Sequence, residues 1–151
     1  MTIKRYSIIE EIPPLPEDAE SIFKQLSENN KQLLPAYKDA RLWGFFIKEN
    51  GKVLGGAVGH LWLGAIRVVR LFVQKHIRKQ GYGKELLKTI EDYGCKHGAN
   101  FIALETLSFQ NSLEFYLKNG FHIVYEEKNY SNDIIMYHLR KKLPNNKKLL
   151  S

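Results

Sequence analysis

The sequence predicts an α/β (α+β) domain on a mixed, mostly antiparallel sheet of about seven strands, with a central parallel pair and about four flanking helices. Three observations carry this. Asn50-Gly51 separates two apolar, strand-like runs, the strongest short hairpin signal in the chain. "AIRVVRLFV", a helical stripe through Leu86, Leu87, Ile90 and Tyr93, and "NFIALET" form a strand–helix–strand unit from Ala65 to Thr106. Such a unit requires parallel pairing through a right-handed crossover. Finally, "FHIVYEEKNYSNDIIMYHLRKKL" reads as a closing pair of strands.

The remaining elements follow from local chemistry. "TIKRYSIIEEI" has the β-branched and aromatic content of a first strand ending near Ile12, where "PPLP" removes backbone donors. From Pro16 to Asn29 the spacing of Ile22, Phe23 and Leu26 is helical, and a second, weaker helix is expected through "KQLLPAYKDA" despite Pro35. Gly98 ends the helix that runs to about His97, and "NSLEFYLKN" with Gly120 behind it reads as a short helix. One domain is expected over residues 1–143, with a loose tail over 144–151.

Composition narrows the class of function. No apolar stretch is long enough to span a bilayer, so no membrane partner is expected. The N-terminus has no signal-like apolar run and the one cysteine cannot form an internal disulfide, which points to a reducing cytoplasm. The formal net charge of +7 is concentrated in the later part of the chain. Between Arg67 and Lys88 stand seven Lys/Arg residues opposed only by Glu85. That face would attract a phosphorylated cofactor or a nucleic acid, and charge alone does not choose between them.

The informative segment is "HIRKQGYGKELL", His76 to Leu87. The first turn of a helix leaves N–H groups without intrahelical partners and carries partial positive charge, so an anion fits there. Glycine at 81 and 83 removes side chains that would block a phosphate, while Arg78, Lys79 and Lys84 add positive charge. A plain strand-to-helix turn with a solvated basic face is the competing reading. A P-loop is excluded, because Arg78 and Glu85 occupy its glycine and hydroxyl positions. A dinucleotide fingerprint fits in part: Leu86 stands where its third glycine belongs, while Glu105 lies about where its ribose-binding acid should be. "RKQGYG" satisfies a third pattern, Arg/Gln-x-x-Gly-x-Gly/Ala after a strand.

With this loop and "EFYLKNGF" following it in order, the stretch from about Arg70 to Phe121 resembles the GNAT superfamily of acetyl-CoA-dependent N-acetyltransferases. The resemblance implies a GNAT-like fold, acetyl-CoA as cosubstrate, no metal, and an amine-bearing acceptor. By it, the backbone of Leu71, Phe72 and Val73 pairs with the pantetheine arm. Lys79, Gln80, Tyr82 and Lys84 give amides to the diphosphate, Gly81 and Gly83 give room, and Arg78 adds charge. It further implies that Tyr116, four residues before Gly120, meets the cofactor and protonates the departing thiolate. An unperturbed phenol near 10 lies close to a thiol. Packing between Phe115 and Phe121 is its alternative role. Where the family commonly has a cofactor-touching asparagine this chain has Phe109; Asn111 is the shifted substitute, or else a helix cap.

For the general base, Glu105 is the candidate, because a carboxylate closing the apolar strand "FIALE" should face a cleft rather than the core. A salt-bridged strand end is the alternative. His60 ranks second. The histidines have no ligand spacing with Cys95, which reads as a small packing residue.

The expected function is therefore transfer of an acetyl group from acetyl-CoA to a primary amine by direct attack in a ternary complex, in a monomer or homodimer. The alternative is a non-catalytic acyl-CoA-binding module of the same fold. A nucleic-acid partner is not expected, since the basic face lacks interleaved stacking aromatics.

Overall fold

The structure is a computed structural model that describes residues 5–144. These fall into two compact units, divided between Asp39 and Ala40.

The first unit is organised by helix α1, Pro16–Leu33. Proline at its first position needs no intrahelical donor, and Glu17 and Asp18 complement the positive end of the helix. Buried Ser27 on α1 donates its hydroxyl to Asp39 Oδ1 at 2.7 Å, and Lys31 reaches Asp39 Oδ2 at 2.9 Å. Two expectations fail here. The described part of the run ending at Ile12, residues 5–12, enters no strand, because β-propensity is realised only through a ladder and cross-strand packing, and these residues have neither. The expected second helix is also absent. Its first residues extend α1 by one turn, and Leu34, forced towards extended backbone by Pro35 behind it (φ −134°, ψ 97°), ends the helix.

The second unit holds a six-stranded sheet: β1 Arg41–Glu49, β2 Lys52–Trp62, β3 Ala65–Val73, β4 Phe101–Leu107, β5 His122–Glu127 and β6 Met136–Lys142. Helix α2, Tyr82–Lys96, joins β3 to β4, and α3, Leu113–Lys118, precedes β5. Among the described residues there are thus six strands and three α-helices rather than about seven and four. The spatial order is β1-β2-β3-β4-β6-β5, and β3–β4 is the parallel pair required by the strand–helix–strand unit. Asn50 and Gly51 form the tight β1–β2 turn with φ of 48° and 78°, the positive values that a two-residue hairpin demands.

The core lies between one face of the sheet and α2. Ile66, Val68, Ile102, Leu104 and Leu139 pack against Leu87 and Ile90, all nearly inaccessible. Tyr93 and Cys95 pack at the edge of this cluster, the place expected of Cys95. Lys141 of β6 pairs with Glu91 of α2 at 2.7 Å and also donates to the carbonyl of Asn119 at 2.8 Å. One side chain so ties α2 and the end of α3 to the sheet.

Candidate active site

Two ladder details open a cleft in the middle of the sheet. The parallel ladder between β3 and β4 stops at Val68↔Leu104, yet β3 continues beside β2 to Val73 and β4 continues beside β6 to Leu107. The register of β2–β3 also shifts at this point, Gly59 facing Val68 and Val58 facing Arg70, so that Val69 is an extra residue. A bulge bends its strand and increases the local twist, which turns the second half of β3 away from β4. The cleft that results encloses about 1060 Å³. Its β3 wall is a strand edge left without a partner, a row of backbone groups able to pair with an extended amide-bearing ligand.

Most of the residues singled out in the sequence converge here. Leu71, Phe72 and Val73 line the β3 wall, and Arg78, Lys79, Gly81, Tyr82, Gly83 and Lys84 line the loop end. Glu105, Asn111 and Tyr116 line the opposite side. Gln80 is not part of the lining, and neither is His60, which sits on β2 opposite Arg67.

The loop end is built by the backbone. Gly81 begins α2 with φ 92°, a left-handed conformation that favours glycine, and a Cβ placed there would meet nothing within 4 Å. Gly83 has a different reason: a Cβ would lie 3.0 Å from Phe115 Cζ, so the absence of a side chain lets α2 approach α3 closely. Arg78 contributes more than diffuse charge. Its Nε donates to the Val73 carbonyl at 2.7 Å and its guanidinium lies 5.3 Å from the Phe72 ring centre, fastening the loop to the end of β3. The start of α2 has the partial positive charge of a helix N-terminus, with Lys79 and Lys84 nearby, which is chemistry that suits an anion.

Across the cleft, Tyr116 is 7% exposed and packs edge-on against Phe115 and Phe121, at centroid distances of 5.2 and 5.7 Å. Packing aromatic and cleft-lining phenol are therefore one arrangement. Burial pushes its hydroxyl up to about 12, further from a thiol than the unperturbed value. The phenol consequently stays protonated throughout the neutral range, as a hydrogen-bond donor. Asn111 has φ 57° and lines the cleft; Ser112, not Asn111, is the residue before α3. Glu105 does not close β4, which stays paired with β6 as far as Leu107. It faces the cleft because the ladder to β3 has already ended at Leu104, and it forms an ion pair with Arg67 of β3.

The sequence reading missed several lining residues. Gln110 accepts from the Leu107 N–H at 2.9 Å and fixes the turn after β4, while Phe115 supports Gly83. It also missed His138, whose Nδ1 lies 3.5 Å from Glu105 Oε1. The alternating parity of charged residues on strands was the available signal, but it gives no strand order. Among the described residues no cluster of His, Cys, Asp or Glu could hold a metal ion, and no helix is long and apolar enough to cross a membrane.

Comparison with known proteins agrees with this architecture. The profile of the Acetyltransferase (GNAT) family matches residues 6–121, and the chain belongs to that family. The crystal structure of an acetyltransferase from Bacillus cereus ATCC 14579 is 25% identical, covers 91% of this chain and 98% of its own, and superposes with a TM-score of 0.75. A protein from Bacillus anthracis str. Ames, solved in complex with acetyl coenzyme A, shares the fold at 20% identity and a TM-score of 0.62 over 72% of this chain and 65% of its own. A 55-residue stretch is 36% identical to tRNA(Met) cytidine acetyltransferase TmcA 2 of Saccharolobus solfataricus. It amounts to 36% of this chain, which spans only 7% of that relative's length.

Proposed function

We propose that the chain is an N-acetyltransferase that moves the acetyl group of acetyl-CoA directly to a primary amine while both are bound. The observation that carries this is the cleft between β3 and β4, where a free strand edge, a glycine-opened helix start and a buried phenol meet in one space. This cleft fits the cosubstrate. The backbone from Leu71 to Val73 is a pairing edge for the amides of a pantetheine arm. The first-turn amides of α2, reached past Gly81 and Gly83, suit a diphosphate; Lys79 and Lys84 add attraction, and Asn111 lines the opposite wall. Gln80, outside the lining, has no side-chain part in this reading.

Acetyl-CoA supplies an activated acetyl group as a thioester. The protein's part is then to hold the acceptor amine neutral beside it and to stabilise charge on the departing sulfur. Glu105 is the proton acceptor for the amine, placed in the cleft on a rigid strand. Tyr116 donates its hydroxyl hydrogen bond towards the sulfur. At about 12 its proton is given up only as negative charge builds on sulfur, so its contribution belongs to the transition state.

The test has two stages. Acetyl-CoA is titrated into the protein by calorimetry, and then a panel of amines (amino acids, polyamines, amine-bearing antibiotics and peptides with free N-termini) is screened for release of free thiol. Saturable binding with amine-dependent thiol release is expected. Binding without turnover across the panel would instead mark a non-catalytic acyl-CoA-binding module.

A further inference from the structure

Glu105 is one member of a run of ionisable side chains that crosses four strands. Arg67 of β3 pairs with Glu105 of β4, Glu105 Oε1 lies 3.5 Å from Nδ1 of His138 on β6, and Nε2 of His138 lies 2.9 Å from Glu127 Oε2 on β5. The register produces this alignment. Glu105 and Tyr125 both stand directly opposite His138, on either side of it. On β5 the pairing steps from Ile123↔Leu139 to Tyr125↔His138, leaving Val124 as an extra residue. Without that bulge, Tyr125 and Glu127 would face the other side of the sheet.

A neutral imidazole has one N–H, and here each ring nitrogen faces a carboxylate. Glu127 is the closer, and its carboxyl is held below the usual carboxylate range, first by the hydrogen bond from His138 and then by one from Tyr130. The ring proton therefore belongs on Nε2, donated to Glu127. That leaves the lone pair of Nδ1 facing Glu105 Oε1 at 3.5 Å, longer than a formed hydrogen bond, so the two groups draw together only when a proton lies between them. Glu105 needs no donor from His138, since Arg67 already supplies one.

We propose that His138 is a positioning residue acting through Glu105: it takes over the proton that Glu105 removes from the acceptor amine and passes it towards Glu127 and solvent. This rests on the reading of Glu105 as the proton acceptor and deepens it. The acceptor ammonium loses a proton to the Glu105 carboxylate and becomes the neutral nucleophile. The Glu105 O–H bond then breaks as an N–H bond forms at Nδ1, so Glu105 is again a carboxylate and His138 an imidazolium between two carboxylates. The imidazolium loses its Nε2 proton through Glu127, whose side chain is 42% exposed, to water. The ring is then neutral with its one proton on Nδ1. It returns to the Nε2–H form when water gives a proton back to Nε2 through Glu127 and takes the Nδ1 proton from the His138 side chain, which is 29% exposed, so that one proton in all reaches solvent. The other ring against His138 is that of Tyr125, at 5.6 Å between centroids.

Two measurements test this. Nitrogen-15 NMR of the protein alone should find the His138 proton on Nε2 and the lone pair on Nδ1; a ring that carries a proton on Nδ1, alone or with one on Nε2, would overturn the proposal. With acetyl-CoA and the best amine of the panel, His138→Gln should lower kcat roughly tenfold or more. It should also enlarge the solvent deuterium isotope effect and leave the calorimetric Kd for acetyl-CoA within about twofold. His138→Gly should regain turnover when imidazole is added, which a merely structural histidine would not allow. An unchanged kcat and isotope effect in His138→Gln, with wild-type turnover intact, overturns the relay alone. If wild type binds no acetyl-CoA, or turns over no amine, the acetyltransferase reading fails and the relay with it.

Discussion

Tyr116 gives the sharpest residue-scale expectation, because its two roles separate experimentally. Tyr116→Phe keeps the ring between Phe115 and Phe121 and removes only the hydroxyl. Turnover should fall on the order of a hundredfold while the calorimetric Kd for acetyl-CoA changes little. An equal loss in both would assign the phenol to binding. Its titration is a second check. Folding raises the phenol to about 12 from its ordinary value of 10.0, so the protonated form is the one the fold favours. That stabilisation is complete below pH 10 and is lost as pH rises towards 12. An ultraviolet titration of wild type against Tyr116→Phe should therefore lose its latest-titrating phenol. At Asp39 the sign reverses: the hydrogen bond from Ser27, followed by that from Lys31, lowers its carboxyl. Its contribution is present at neutral pH and disappears as pH falls below the ordinary carboxylate value of 3.8, which Asp39→Asn would expose in acid unfolding curves.

At the scale of elements, α2 carries both the core and the loop end of the cleft, and two substitutions separate them. Ile90 is fully buried under the sheet, and Ile90→Ala should cost about 2–5 kcal/mol in chemical denaturation. Gly81 lies where added bulk meets nothing, so Gly81→Ala should cost only the backbone strain of φ 92°, about 1–2 kcal/mol, and Gly81→Asn less, because asparagine tolerates that region better. Equal losses for the two would show that something other than φ is at work. The elements that were legible in the sequence are those whose cause is local: the Asn50-Gly51 turn, the apolar stripe of α2, and Pro16 at the start of α1. The illegible ones depend on partners. Residues 5–12 have strand composition but no ladder, and residues 31–40 have helical composition that Pro35 overrules at Leu34. The extra residues Val69 and Val124 leave no mark in composition or periodicity, yet one opens the cleft and the other turns Glu127 towards His138. Hence the glycine loop and Tyr116 could be named from the sequence, while the Glu105–His138–Glu127 run could not. The expected tail falls almost wholly outside the described residues.

For the molecule as a whole, the family relationship and the net charge of +7 converge on a polyanionic cosubstrate. Lys79 and Lys84 stand at the loop end of the cleft. Raising ionic strength from about 0.05 to 0.5 M should therefore weaken acetyl-CoA binding several-fold, whereas a cleft held together only by apolar contact would be nearly indifferent to salt. The central claim is that the parting of β3 and β4 makes an acetyl-CoA site competent for transfer. The most direct measurement is release of free coenzyme A thiol from acetyl-CoA across the amine panel, in wild type and in Tyr116→Phe at matched protein concentration. Amine-dependent release that falls about a hundredfold in the variant is the predicted result. No release with any amine, or equal release from both proteins, would contradict it.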